Sequence, residues 1–497
     1  MEHFDVIIVG AGLSGIGAAR QLQDKCPGKR FAILEARDAI GGTWDLFRYP
    51  GIRSDSDMYT MGYDSKPWLE PKAIADGPSI LSYVREAAVE RGIDKQIRFG
   101  SRMKSAAWSS ADARWTLETE TTDGNRVRYS TNVLFVCSGY YNYAHGYEPG
   151  FAGSEDFTGR IVHPQHWPQD LDYRGKRVAI VGSGATAMTL VPNMAKDAAK
   201  VTMLQRSPTY VVSLPSKDPI ATLLRKLLPE QLAYRLTRAK NVWFQRYVYQ
   251  QSRKNPGKMR DRLIGMVKKQ LGAAYDVAKH FTPSYNPWDQ RLCLVPDADL
   301  FKALRAGRAE VVTDEIERFT AGGIKLKSGQ ELSADIIVTA TGLELEVLGG
   351  AQYTVDGTPV RFPDTWSYKG MMFSDVPNLI YTIGYINASW TLRSELVAEF
   401  VCRLVNHLDL RGATLCTPRL RPGDAQMAVK PFLDDFSPGY MRRGIGLFPK
   451  QGDRDPWRNT QNYVLDRDII RNGTLDDGVL AWETAHAVAG EPTRSAA

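Results

Sequence analysis

At 497 residues the chain exceeds what a single hydrophobic core organises, so two or more domains are expected. With 43% apolar and 24% charged residues it reads as an ordinary soluble protein, and its formal charge of +7 favours anionic cofactors or lipid surfaces without naming a partner. Five cysteines (Cys26, Cys137, Cys293, Cys402, Cys416) include no CxxC pair, which argues against a disulfide framework, a structural zinc and a redox dithiol. No uncharged apolar stretch reaches the roughly 18 residues of a membrane-spanning helix, and Glu2 and Asp5 stand where a signal peptide carries positive charge. A cytoplasmic location is therefore expected.

The chain opens with FDVIIVGAGLSGIGAARQL. An apolar strand, Val6 to Val9, runs into Gly10, Gly12 and Gly15 and then into a helical period, the setting that a dinucleotide fingerprint requires. Glycines let the backbone approach a pyrophosphate, and the helix N-terminus supplies N–H groups and positive dipole. The next strand, RFAILEAR, ends in Glu35, at the distance where an acid hydrogen-bonds a ribose hydroxyl. A second unit, RVAIVGSGATAM, holds Gly182 and Gly184, with Ala187 as the permitted third residue. Its following strand, KVTMLQRSP, places Gln205 where the first unit has Glu35, then Arg206 and Ser207. An acid there repels a 2′-phosphate and an arginine pairs with one, so the first unit suits FAD and the second NADPH. The expected fold is α/β, with two Rossmann-like dinucleotide-binding domains. A hydride can pass between the cofactors, and without paired cysteines the final acceptor is dioxygen, a quinone or another protein.

Between the two units lies FTGRIVHPQHWPQD. His163 and His166 are three apart, which suits metal ligands only on a helix, and Pro164 and Pro168 argue against one. No acid or cysteine cluster completes a shell, so no metal is expected. Phe157, Gly159, His163, Trp167 and Pro168 fit the pattern FxGxxxHxxxWP, and GGTWDLFRYPGIRSD runs from Gly41 to Asp55. Through these motifs, with CSGYYNY and YNPWDQRLCLVP, the sequence resembles the type I Baeyer–Villiger monooxygenases, closest to their ethionamide monooxygenase subgroup, over nearly its whole length.

The resemblance implies that the 157–168 segment is a hinge between lobes, with His163 neither ligand nor catalytic base. It places the catalytic cation at Arg291, oriented by Asp55, where an arginine stabilises a flavin-bound peroxide and the adduct it forms. It assigns Gly10, Gly12, Ser14, Gly15, Glu35, Gly42, Thr43, Trp44, Asp55 and Met103 to FAD. To NADP it assigns Arg53, Ser54, Gly182, Ser183, Gly184, Ala185, Thr186, Ala187, Arg206 and Ser207. Many relatives carry lysine before the catalytic arginine, whereas here it is Gln290, so NADPH preference rests on Arg206 and Ser207.

These landmarks imply an FAD domain of residues 1–143 resumed at 343–497, where it includes the C-terminal tail. An NADP domain of 144–207 and 286–342 is inserted within it. Residues 208–285 lack strand alternation and read as a helical insertion. From Lys217 to Lys269 there are 14 lysines and arginines against three acids, with aromatics interleaved, which fits either a solvated cap or a weak peripheral contact with anionic lipid. No nucleic-acid module is recognised. GYINASWTL (Gly384–Leu392) is a candidate substrate wall, and the tail from Ala485 reads as disordered. The expected activity inserts oxygen from O2 into ketones and converts thioethers to sulfoxides through a C4a-peroxyflavin. The alternatives are an S/N-monooxygenase without ketone activity, an NADPH oxidase or quinone reductase, and a non-enzymatic flavin sensor.

Overall fold

Residues of β1 (Glu2–Val9) feed two different cores. Val6 and Ile8 point into one apolar cluster, and Ile7 and Val9 into the cluster on the opposite face. That is why the strand is apolar without alternation. The computed structural model describes residues 1–434 and 436–485. The strand is followed by α1 (Leu13–Lys25), β2 (Phe31–Leu34) and the one-turn helices α2 (Thr43–Leu46) and α3 (Met58–Met61). Then come α4 (Gly77–Val89), β3 (Ile97–Arg98), β4 (Ser101–Ser109), β5 (Arg114–Thr121) and β6 (Arg126–Val136). The order β6-β1-β2-β3 is parallel, and β4-β5-β6 is an antiparallel meander on its edge.

The chain then leaves for a second sheet. It contributes β7 (Arg160–Val162), β8 (Arg177–Val181), α5 (Ala185–Met194), β9 (Lys200–Gln205) and β10 (Val211–Leu214). Helices α6 (Pro219–Leu227), α7 (Glu230–Lys254), α8 (Pro256–Leu271) and α9 (Val277–Phe281) follow, then β11 (Cys293–Pro296), α10 (Asp299–Arg305) and β12 (Ala309–Thr313). The hairpins β13 (Ile316–Thr320), β14 (Gly323–Leu326) and β15 (Glu331–Ser333) lead to β16 (Ile336–Thr339). All five strands of the sheet β12-β9-β8-β16-β7 are parallel, and β8 again serves two cores with alternate residues.

The return path adds β17 (Gln352–Val355) and β18 (Thr358–Pro359) beside β4, and Leu379–Tyr381 parallel to the end of β6. Helix α11 (Trp390–Arg411) packs on α1 and is buried along most of its length. Outgoing and returning chains run side by side where they cross between the sheets. Asn142 N–H donates to Glu344 O at 2.8 Å, Glu346 N–H to Tyr140 O at 3.0 Å, and Tyr147 N–H to Gly342 O at 3.0 Å.

Two local expectations need correction. The segment 208–285 is not wholly helical: the β-branched pair Val211 and Val212 forms β10, which pairs in parallel with β11, so tertiary pairing decides its state. Pro164–His166 makes one 3-10 turn, because Pro164 occupies the first position, where its missing N–H is not needed. The tail beyond Ala485 lies outside the described residues. Among the described residues no helix is long and apolar enough to cross a membrane.

Candidate functional site

Helices α1 and α5 start on Gly12 and Gly184 with no side-chain cap. Asp57, Asp76, Asp218, Asp276 and Asn462 accept from the first-turn N–H groups of their helices, while α2, α7, α8, α10 and α11 also start without a side-chain cap. The two glycine turns thus leave backbone donors and the positive end of a helix dipole for an anion, as a nucleotide pyrophosphate requires.

The first turn is closed tightly. A Cβ on Gly15 would lie 1.9 Å from Gly10 O, and Gly10 itself has φ +104°. The GGTW loop covers the turn: Gly41 N–H donates to Ala11 O at 3.1 Å, and a Cβ on Gly42, whose φ is +54°, would lie 3.1 Å from Gly12 Cα. The Glu35 carboxylate is fixed by the N–H of Ala11 at 2.7 Å and of Arg37 at 2.9 Å, and burial raises its pKa. Thr43 Oγ1 and Tyr141 Oη are 2.7 Å apart, and Trp44 packs on the α1–α11 core. The Met103 side chain is buried in the core behind β1, away from solvent.

The second turn is open. Gly184 and Ala185 are exposed, Thr186 is half-buried, and a Cβ on Gly184 would meet nothing within 4 Å. Ala187 is buried, and Ser183 Oγ donates to Ser207 O at 3.1 Å. Arg206 and Ser207 are exposed at the end of β9. Gln205 points inward instead, its amide donating to Thr313 Oγ1 and His280 O.

Between the turns lies an ion pair whose partners are 236 residues apart. Arg291 grips Asp55 in two-pronged fashion, Nε to Oδ2 at 2.8 Å and Nη2 to Oδ1 at 3.0 Å. Asp55 raises the pKa of Arg291 further, and burial raises those of the facing hydroxyls of Tyr140 and Tyr440. Toward the first turn, Tyr140 stacks on Trp390 at 5.3 Å, and the Trp390 indole N–H donates to Ser14 Oγ at 2.8 Å. Toward the second, buried Cys293 donates to Ser183 O at 3.9 Å, with burial and Asp55 pushing its thiol pKa up to about 12. Trp390 thus braces the first glycine turn rather than standing free as a wall, and Asn387 donates to Gln461 O.

Arg53 pairs with Asp299 at 2.5 Å, while its buried Nη2 has no hydrogen-bond partner among the described residues. The Ser54 hydroxyl donates within its own loop, to Ser56 O at 2.8 Å. In the fingerprint, Phe157 is buried beside the β16 face, and a Cβ on Gly159 would lie 2.3 Å from Asp335 O. The His163 ring fills the place where a Cβ on Gly146 would be, accepts from Gln165 N–H at 3.2 Å, and has its pKa lowered by burial. Trp167 packs into the core of the second sheet, and Pro168 O accepts from Leu171 N–H. Among the described residues no cluster of three metal-binding side chains occurs.

Sequence reasoning passed over several residues of this region. Asp45, 2% exposed, holds Arg37 at 2.7 Å, Arg48 at 2.8 Å and Arg85 at 3.1 Å, clamping the GGTW loop. Tyr49 lies beside Thr186, and a Cβ on Gly51 would strike Asn193, so the YPG turn is moulded to α5. The arginines flanking Asp45 were its visible signal, whereas Tyr440 carried none.

Two uncapped glycine turns on separate parallel sheets, facing one two-pronged arginine–aspartate pair, define a two-nucleotide α/β oxidoreductase. Residues 4–267 match the family described as FMO-like, flavin-binding monooxygenase-like. FAD-containing monooxygenase EthA of Mycobacterium tuberculosis (strain ATCC 25618 / H37Rv) is 56% identical over 490 residues, covering 98% of this chain and 99% of that one. Probable FAD-binding monooxygenase AlmA of Acinetobacter baylyi is 50% identical over 484 residues, covering 97% and 96%. Among solved structures, oxidised steroid monooxygenase bound to NADP aligns with a TM-score of 0.77 at 23% identity, covering 97% of this chain and 100% of that one. Open cyclohexanone monooxygenase aligns at 0.74 and 17% identity, with the same coverage. The chain belongs to the family of flavin-binding monooxygenases. The expected FAD and NADPH agree with the relatives' names and with the NADP of the aligned steroid monooxygenase.

Proposed function

We propose that this protein is an FAD- and NADPH-dependent monooxygenase that inserts one oxygen atom of dioxygen into ketones, giving esters or lactones, and oxidises thioethers to sulfoxides. The other oxygen atom leaves as water. On this reading the FAD lobe comprises residues 1–143 and 343–497, and the NADP lobe 144–207 and 286–342. The NADP lobe carries the insertion 208–285, and the protein works in the cytoplasm.

The observation that carries the reading is the Arg291–Asp55 pair, linked to Ser14 through Trp390 and Tyr140 and to Ser183 through Cys293. FAD held between the lobes and reduced by NADPH would supply the activated oxygen. Arg291 keeps a full positive charge at any working pH, and Asp55 holds its planar fork in one orientation. Negative charge developing on the transferred oxygen then meets a cation already in place, which needs no reorganisation. Tyr140 and Tyr440, kept protonated by burial, add neutral donors beside it. Glu35 would receive a ribose hydroxyl, the two helix N-termini would hold the pyrophosphates, and Arg206 with Ser207 would hold the 2′-phosphate. The 157–168 segment serves as the hinge, with His163 seated on Gly146 at the crossing.

The test is mass spectrometry of products after incubating the FAD-loaded protein with NADPH, labelled dioxygen, a linear ketone and an aryl alkyl sulfide. Labelled ester and labelled sulfoxide are expected. Arg291→Ala should lower ester formation by roughly 10³-fold while NADPH-dependent flavin reduction continues. Ester at the wild-type rate from that variant would overturn the assignment. Sulfoxide alone would select the narrower S-oxygenase, and hydrogen peroxide with neither product would select the oxidase.

A further inference from the structure

Nineteen large apolar side chains are exposed among the described residues, and nine of them fall between Leu214 and Tyr247. They are ordered by the helices. Ile220, Leu223 and Leu227 are 51%, 55% and 70% exposed along one side of α6, whose opposite side is anchored by fully buried Ala221. On α7, Leu232, Leu236, Trp243 and Tyr247 fall within roughly 60° of arc at the helical period. The inward side of the same helix carries Ala233, Tyr234, Thr237 and Arg238, the last paired with buried Glu395 at 2.5 Å. Helix α7 therefore has its polar anchor inside and its apolar row outside, the reverse of a solvated cap.

The face is held rigidly in that orientation. Asp218 caps α6 and binds Lys240 of α7 at 2.5 Å, and Trp243 stacks on Tyr247 with ring centroids 5.4 Å apart. Exposed Lys226, Arg235 and Arg246 rim the row and make no ion pair among the described residues. Beside the row, Arg235, Trp243, Arg246 and Arg467 also line a cavity of about 320 Å³ that continues over Leu392 and Leu396 of α11. From Lys217 to Lys254 there are nine lysines and arginines against two acids.

We propose that the α6–α7 pair is a docking face for an anionic lipid bilayer, its apolar row entering the acyl boundary while the basic rim meets lipid phosphates. Aromatic and aliphatic side chains flanked by arginine and lysine match that interface in both polarity and charge. A second copy of the chain is a poorer occupant, since a two-fold contact would set two strongly basic rims against each other. The inference stands apart from the oxygenation reading, because Arg291 and Asp55 take no part in it.

The test is co-sedimentation of the FAD-loaded holoenzyme at low salt with vesicles of phosphatidylcholine alone or mixed with phosphatidylglycerol. Binding to the mixed vesicles at least ~10-fold above the neutral ones is expected, falling as salt rises. The pairs Leu223→Ser with Trp243→Ser, and Arg235→Glu with Arg246→Glu, should each reduce it by ~10-fold or more, with FAD content and NADPH oxidation retained. Absence of sedimentation with anionic vesicles overturns the proposal, as does binding that neither pair weakens. So does a sedimentation-velocity dimer that the serine pair returns to monomer without any vesicle binding.

Discussion

The two dinucleotide turns share a strand, a pair of glycines and a helix start, yet the chain closes around them differently. At the first turn every added carbon meets backbone: Gly15 against Gly10, Gly42 against Gly12, Gly10 against Cys137 O at 2.7 Å. At the second only Gly182 is confined, 2.4 Å from Ala340 O, and Gly184 faces open space. A fingerprint common to both therefore encodes two surfaces, one sealed under the GGTW loop and one open to solvent. Under the proposed function, the sealed turn suits a cofactor that stays and the open turn one that leaves at each turnover.

Gly15→Ala breaks the comparison most sharply. It forces a carbon into a carbonyl oxygen, so a loss of about 3 kcal/mol or more and failure to retain FAD are expected, read by thermal melting and flavin absorbance. Retained FAD with an unchanged melting temperature would show that the first turn is as open as the second. Arg206→Ala should lower the preference for NADPH over NADH by roughly 10–100-fold in kcat/KM, while FAD content stays constant. Unchanged selectivity would refute that role. Gly184→Ala probes the open side: KM for NADPH should rise a few-fold with the melting temperature within about 1 °C, since no atom among the described residues lies within 4 Å of the added carbon.

The smallest effect is one of pH. Burial raises the Glu35 pKa and only the ionised form accepts fully from a ribose hydroxyl, so FAD is held above that pKa and released as pH falls through it. Release, followed by flavin fluorescence, should begin above the ordinary glutamate value of about 4.3, and Glu35→Gln should flatten the profile. Identical profiles for the two proteins would remove Glu35 from the site.

The glycine turns and Glu35 were legible because their information is local: strand, turn, helix and the next strand's end lie within 35 residues. Strand β10 was not, because its pairing with β11 crosses 78 residues of intervening helix and loop. Nothing in the spacing of Asp55 and Arg291 brings them together, and only the family resemblance paired them. Trp390 was read as a wall from its neighbours in sequence, yet its indole belongs to Ser14, 376 residues away. The basic stretch was legible as charge, but the outward row from Leu232 to Tyr247 required knowing which side of α7 is buried.

The hydrogen bonds between Asn142 and Glu344 and between Tyr147 and Gly342 mean that the inner lobe begins and ends at one spot on the outer lobe. Topologically it is a cassette, spliced into a loop whose two stumps already touch. The outer sheet closes whatever the length of the spliced material, since both flanking strands keep their neighbours. Such an arrangement lets the inserted segment vary in length between its two stumps without changing the strand order of the outer sheet.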